Sequence, residues 1–309
     1  MPPPPPPPPP EITPLLDHVV ILVPHSFLTS PPAWFADGEL FHFYPGGRHT
    51  DGRTENTLVL LPDGSYLEFI AFAPGLDPRE RASHRWGRGA EGSVIDWAVT
   101  LHEKTFQDFR ARVRDARTGI AYADLARGGR ARPDGAELKW AVAAAERAPD
   151  PTASGGTDAP PALLEPGTVP FWCLDVTDRD LRVPYRGEAA RRRRHPSGAV
   201  GVATVHVRVP RAAEAESIAV YDVLLGEREK KVKGDADEGH YYYWGIGTLE
   251  GGVGNLHPGG EVRLAGAAQP GVDIELFTDD EALDGKVVGG KVDEQHSLSI
   301  RLVATSRRR

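Results

Sequence analysis

The stretch YPGGRHTDGRTENTLVLLPDGSYLEFIAF, residues 44–72, sets one acid, Glu68, between Leu67 and Phe69 in the middle of an apolar run. A carboxylate taken out of water without a partner costs several kcal/mol or takes up a proton. Glu68 therefore requires a cation, a donor or a route to solvent. The turn ahead of it carries Arg48, His49 and Asn56 among glycines and polar residues, where backbone can approach a ligand closely. These three are candidate substrate-binding groups, although a solvated surface loop would have the same composition. His195, in RRRRHPSGAV, is a candidate extra ligand or general base, since histidine transfers protons near neutral pH. The competing reading makes it a neutral cap on the Pro196-Ser197-Gly198 turn beside a solvated charge run. The lone Cys173 has no base near it in sequence, and no nucleophile elbow, phosphate loop or dinucleotide fingerprint is present.

The elements that must position these residues are legible from periodicity. LLDHVVILVP (15–24) is a β-branched run of the kind a buried strand shows, with His18, Val20 and Leu22 on one face and Val19, Ile21 and Val23 on the other. Ser30 before Pro31 and Pro32 predicts a short helix start. Strands are then expected at 41–44, 57–61 and 66–72, with turns at Gly46-Gly47 and at PDGS. The same β-α-β-β-β order recurs: SVIDWAVTL (93–101) as strand, TFQDFRARVRDA (105–116) as helix with Phe106, Phe109 and Val113 on one side, PDGAELKWAVAA (133–144) and VPFWCLDVT (169–177) as strands. Residues 146–168, rich in Pro, Gly and Ala, are expected to form a mobile insertion. A third unit is expected from 195 to 306, opening with the strand at 201–209 and the amphipathic helix at 212–226, closed by Gly226. Residues 1–14 form a proline-dominated arm, extended as polyproline II. It could engage a polyproline-binding partner, while composition alone favours a low-complexity tail.

Composition excludes several classes. The 309 residues can bury a sizeable core, and a net charge of -8 disfavours the nucleic-acid backbone as a partner. The clusters Arg191–Arg194 and Arg307–Arg309 carry no interleaved aromatic residues and are expected to be solvated. One cysteine allows no internal disulfide and no cysteine-based zinc site, which suits a reducing, cytoplasmic compartment. No run reaches the roughly 18 apolar residues of a membrane helix, so no membrane association is expected.

LDHVVILVP, PGGRHTDGRTENTLVLLPDGSYLEFIAF, HRWG (84–87), PFWCLDVT and HPSGAVGVATVHV (195–207) together resemble the glyoxalase-like domain of the vicinal-oxygen-chelate superfamily over residues 15–226. The resemblance implies an α+β fold in which paired β-α-β-β-β modules, here 15–75 and 90–180 within 15–185, curve into a cup-like mixed sheet with flanking helices. It also implies a divalent metal ion (Mn, Mg, Fe or Zn) in the cup, chelated by neighbouring substrate oxygens, and cups often built or extended by a homodimer. Carried over residue by residue, the metal ligands are His18 on the first strand and Glu68 on the fourth, with Asp96 and Asp175 at the matching places of the second module. An alternative alignment puts Trp172 in place of Asp175. The imidazole and carboxylate are apt ligands for a hard-to-borderline ion and would account for a buried acid. Two functions follow as expectations: a metal-dependent lyase or isomerase acting on a small oxygenated molecule, with Glu68 moving the proton, or a protein that sequesters such a molecule without turnover.

Overall fold

The run Leu15–Leu22 forms strand β1, and every residue of it except Leu15 is buried. A strand covered on both faces needs continuous rather than alternating apolar sequence, which is what these residues supply. The structure, a computed structural model, describes residues 13–132, 135–148, 162–184, 188–233, 240–249 and 259–308. Nearly all of the proline arm and most of the 146–168 insertion lie outside the described residues. No helix among the described residues is long and apolar enough to cross a membrane.

After β1 come helix α1 (His25–Thr29) and strands β2 (Tyr44–Arg48), β3 (Thr54–Leu60) and β4 (Tyr66–Phe72). Two local expectations are corrected here. The helix ends at Ser30 instead of starting there, and a single 3-10 turn at Ala33–Phe35 follows the prolines. Packing decides this: Phe27 and Phe35 both bury against Phe69, with ring centroids 5.6 and 4.8 Å away. Gly46-Gly47 does not turn the chain; β2 runs through the glycines. A Cβ on Gly46 would sit 2.1 Å from the Asn56 carbonyl oxygen, so only glycine lets the two strands approach this closely.

Helix α2 (Pro78–Ser83) leads to β5 (Ser93–Thr100), helix α3 (Glu103–Asp115), and strands β6 (Ile120–Tyr122), β7 (Ala126–Ala131), β8 (Glu137–Ala143), β9 (Ala145–Arg147) and β10 (Phe171–Asp175). Helix α3 turns Phe106, Phe109 and Val113 inward, where the two phenylalanines meet Trp172 of β10. Each such buried side chain contributes roughly 1.5–3 kcal/mol relative to exposure. Short helices α4 (Arg179–Arg182) and α5 (Glu188–Arg192) precede β11 (Ala199–Pro210), helix α6 (Glu214–Leu225), and strands β12 (Glu229–Lys233), β13 (His240–Thr248), β14 (Gly260–Ala267), β15 (Gly271–Thr278), β16 (Val287–Lys291) and β17 (Ser297–Ala304). The fold is a mixed α+β one, mostly strands, with few helices.

The sheet explains how distant residues meet. β1 lies parallel to β4, with His18 opposite Tyr66 and Val20 opposite Glu68, and antiparallel to β5, with His18 opposite Ala98. Strands then run β2-β3-β4-β1 on one side and β5-β10-β8-β7 on the other. The two outer edges touch: Thr50 N–H donates to the Gly129 carbonyl at 3.0 Å, and His49 pairs with Arg130 in an antiparallel bridge. This closes the sheet around a concave face lined by Val20, Leu22, Ile70, Ala98, Phe171 and Cys173. The C-terminal strands β11, β14 and β15 form a second curved region, joined to the first where β13 meets β1 and β15 meets β5.

Candidate functional site

His18 and Glu68 project into the first concave face from adjacent strands. The His18 ring is 3% exposed and Glu68 5%, and His18 Nε2 lies 3.5 Å from Glu68 Oε2. What orients the ring is its sequence neighbour. A register shift of β1 against β5 between Leu16 and His18 lets Asp17 reach round, so that His18 Nδ1 donates to Asp17 Oδ2 at 2.6 Å. With that nitrogen committed, Nε2 is the one that faces a carboxylate oxygen of Glu68. A proton on Nε2 or a metal ion between the two atoms would join them.

Asp17 is itself held by two arginines from α4. Arg179 donates to Oδ1, and Arg182 reaches both oxygens, at 3.0 and 3.2 Å. Burial alone would raise the Asp17 pKa, but the two guanidinium groups outweigh it and keep the carboxyl well below the usual range. Arg182 also donates to the Tyr66 hydroxyl at 2.6 Å, and the Tyr66 ring stacks on His18 with centroids 4.6 Å apart. One buried network thus fixes the His18 ring in plane, tilt and tautomer.

On its other oxygen, Glu68 accepts from Asn56 Nδ2 at 2.6 Å and lies 3.7 Å from His49 Nε2. His49 Nδ1 is 2.6 Å from Thr54 Oγ1, and burial lowers the His49 pKa, which favours a neutral imidazole. Asn56 is oriented in turn by the Gly47 N–H, which donates to its Oδ1 at 3.0 Å. The cavity these groups line has a volume of about 70 Å³. It adjoins a wider mouth of about 270 Å³, which shares Trp86, Trp140 and Phe171 with it.

Of the residues singled out from sequence, the cavity therefore brings together His18, Glu68, His49 and Asn56, and places four others elsewhere. Asp96 is fully buried, but its carboxylate accepts from Arg85 Nε (2.8 Å), Trp86 Nε1 (2.8 Å) and the Gly167 N–H (2.9 Å), so it braces the HRWG segment at the cavity mouth. Asp175, at the end of β10, is bound by Arg179 and Arg182. Neither it nor Trp172, which is core, faces the cavity; Phe171 and Cys173 do. The Arg48 side chain is 60% exposed and closes its own turn through the Gly52 carbonyl. His195 lies outside the cavity, Nε2 at 2.8 Å from the Leu60 carbonyl and Nδ1 accepting from the His42 N–H, with burial pulling its pKa down to about 4. That makes it a structural tie rather than a general base at this site. Asp17, Tyr66, Arg130 and Arg182 escape sequence reading. The adjacent Asp17-His18 pair was the one available signal, while the arginines arrive from segments more than a hundred residues away from β1.

A family model described as a glyoxalase-like domain matches residues 16–220. The chain belongs to this family. It is the family that the first-strand and fourth-strand motifs resemble, within the vicinal-oxygen-chelate superfamily. No curated protein matches the chain. Among solved structures, a hypothetical protein from Staphylococcus aureus superposes with a TM-score of 0.60 at 11% identity, covering 93% of this chain and 99% of that one, and so shares the fold. A variant of 4-hydroxymandelate synthase from Streptomyces coelicolor gives 0.46 at 11% identity, covering 94% and 91%. The 2,2',3-trihydroxybiphenyl 1,2-dioxygenase of Sphingomonas wittichii gives 0.43 at 10%, covering 94% and 91%.

The glyoxalase-like cavity can be tested for fit to a divalent ion on its own donors. The 3.5 Å between His18 Nε2 and Glu68 Oε2 is a span that two metal–ligand bonds of about 2.1 Å can bridge, and Asp17 supplies the carboxylate–histidine support such ligands commonly have. His49 Nε2 lies 3.7 Å from the second carboxylate oxygen. The pair fits an ion with open positions. Asp17, His18 and Cys173 also lie within 4.8 Å of one another, but Asp17 is neutralised by two arginines and burial pushes the Cys173 thiol up, so this trio is support rather than a ligand set.

Proposed function

We propose that this cavity is the active site of a glyoxalase-type enzyme, a lyase or isomerase, that acts on a small molecule carrying two neighbouring oxygens. The carrying observation is the close approach of His18 Nε2 to the Glu68 carboxylate, 3.5 Å, in a buried, concave site. His18 and Glu68 would hold a divalent ion (Mn, Mg, Fe or Zn), with His49 as the third donor; when bound, the ion supplies Lewis-acid stabilisation of an oxyanion. The rest belongs to the chain. Glu68 takes a proton from the carbon beside the substrate oxygens on one carboxylate oxygen and returns it to the neighbouring atom. Asn56, donating to Oε1, orients that carboxylate and lets it swing without losing its donor. Trp86, Trp140 and Phe171 exclude water from the cavity mouth, which strengthens every charge interaction inside. Paired modules supply the two walls of the cup, β1 to β4 on one side and β5 to β10 on the other, in the cytoplasmic setting suggested by the single cysteine.

A second reading, binding without turnover, has one observation in its favour: Asn56 already satisfies one Glu68 oxygen at 2.6 Å. Metal analysis separates the two. Wild-type protein is expected to retain near-stoichiometric divalent metal, and Glu68→Ala and His18→Ala to lose it while keeping the same far-ultraviolet circular dichroism. Retained metal in His18→Ala, or no metal in any of the three, would sink the enzyme reading and leave the binding one.

A further inference from the structure

Two arginines line the cavity, and they are in opposite states. Arg182 is 4% exposed and fully engaged, with Asp17, Asp175 and Tyr66 taking its donors. Arg130, on β7, is 3% exposed and engaged by nothing: its Nη1 is shut off from water without a hydrogen-bond partner, and no described carboxylate forms an ion pair with it. Glu68, the acid that lines the same cavity, accepts from Asn56 on one oxygen and turns the other toward His18 Nε2, 3.5 Å away.

An unpaired buried guanidinium is costly, and arginine cannot escape the cost by losing its proton. Burial does depress the Arg130 pKa, but from a value so high that the group stays charged. The position is not an accident of a floppy chain end, because the β2–β7 closure fixes it: the Arg130 backbone is bridged to His49, and its neighbour Gly129 accepts from the Thr50 N–H. Arg130 lines the cavity with His18, His49 and Glu68 and finds no acceptor among the described residues, and a guanidinium in that state is suited to recognise a carboxylate.

We propose that Arg130 anchors a substrate carboxylate, so that the cavity takes small 2-hydroxy or 2-oxo carboxylates in preference to neutral diols or dicarbonyls. This rests on the reading of the cavity as a substrate site and deepens it by naming the substrate class. Charge supports the choice. With a divalent ion on Glu68, the cavity would carry the ion's two positive charges and that of Arg130 against one carboxylate. A monoanionic ligand lowers this net charge from two to one, whereas a neutral diol leaves it unchanged, and proton transfer to Glu68 within the cavity does not alter it. The small inner volume holds the acid head, while the aromatic mouth of Trp86, Trp140 and Phe171 accommodates whatever apolar tail it bears.

The test uses glycolate and its uncharged counterpart ethylene glycol, which keep the same neighbouring oxygens and differ in charge. Binding is followed by tryptophan fluorescence, since Trp86 and Trp140 line the site, in chelator-treated and in Mn-loaded full-length protein. Saturable glycolate binding to wild type is expected, with at least tenfold weaker ethylene glycol binding, and Arg130→Met is expected to weaken glycolate at least tenfold in both metal states. Arg130→Met should also melt no lower than wild type without ligand, because it removes a buried unpaired charge. Arg130→Gln carries the same expectation for glycolate if the methionine variant does not fold. Equal glycolate affinity in a folded Arg130 variant overturns the proposal, as does ethylene glycol binding as well as glycolate, no glycolate binding to wild type in either metal state, or a markedly lowered melting temperature. If glycolate binding depends on Arg130 but is indifferent to Mn, the carboxylate anchor stands and the metal reading of His18 and Glu68 is what fails.

Discussion

The molecule contains two concave polar faces built from the same pairing of strands, and their cavities differ: about 70 Å³ around buried His18 and Glu68 on one, about 260 Å³ around the partly exposed His206, Arg208 and Arg263 on the other. On the first, Val20 of β1 lies between Glu68 on its parallel neighbour and Asp96 on its antiparallel one. On the second, Thr204 of β11 lies between Glu261 and Glu275 in the same senses, with His206 two residues on. The residue types are alike: a histidine, acids and arginines. Their pairing is not. Glu275 accepts from Thr204 at 3.1 Å and lies 3.6 Å from His206, Glu261 pairs with Arg263, and Asp273 with Arg208. These charges neutralise one another in partial contact with solvent. In the first face the β2–β7 contact seals the rim, Glu68 is buried, and Arg130 is left without a partner. Chemistry is concentrated where closure prevents charges from being satisfied by water or by each other.

The comparison can be broken or sharpened in order of effect. The largest contrast is in metal retention: His18→Ala is expected to abolish it and His206→Ala to leave it unchanged, measured by elemental analysis on the two proteins side by side. Equal loss in both would erase the distinction between the faces.

Next is the support beneath His18. Asp17→Asn leaves two buried guanidinium groups short of an anion and is expected to destabilise by about 3 kcal/mol in denaturant unfolding near neutral pH. Because the folded Asp17 pKa is depressed, its contribution is complete above the ordinary carboxylate value near 4 and is lost as pH falls below it toward the folded value. The variant's deficit should therefore shrink in acid; a constant deficit would show that Asp17 acts by packing alone.

A smaller effect is expected from His195, whose pKa is pulled from 6.5 to about 4 by burial. The unfolded state binds the extra proton first, so stability falls as pH drops from 6.5 toward 4, and His195→Gln should flatten that part of the stability curve. No change in slope would mean that another group controls it.

The smallest belongs to the open face. Glu275, held to about 2 chiefly by His206 against the cost of burial, contributes above about 4.5 and loses that contribution as pH falls through 2. Being partly exposed, it is screened, and Glu275→Gln is expected to shift the melting temperature by only a degree or two. A shift as large as that of Asp17→Asn would put the two faces on the same footing.

How much of this was legible in the chain follows from how local each signal is. The β1 run, the Phe106-Phe109-Val113 stripe and the Gly226 helix end depend on spacing within a few residues, and the structure shows each of them where periodicity puts it. His18 and Glu68 stood out because a polar residue inside an apolar strand is conspicuous, and the structure brings both into one cavity. Asp96 and Asp175 stay out of the cavity because matching one strand to another by its acid ignores what the acid is already bound to: Arg85, Trp86 and Gly167 hold the first, Arg179 and Arg182 the second. On β5 the residue opposite His18 is Ala98, and Asp96, opposite Val20, is committed to Trp86 and Gly167.

The sequence by itself determined the strand and helix types, the buried acid that needs a partner, and the family resemblance, since all three reside in short runs of side-chain character. Only the tertiary structure decided the tautomer of His18, the pairing of Asp17 with Arg179 and Arg182, and the isolation of Arg130. Those depend on segments far apart in the chain meeting across a closed sheet, and in a dry interior it is the presence or absence of such a partner that fixes what a charge can do.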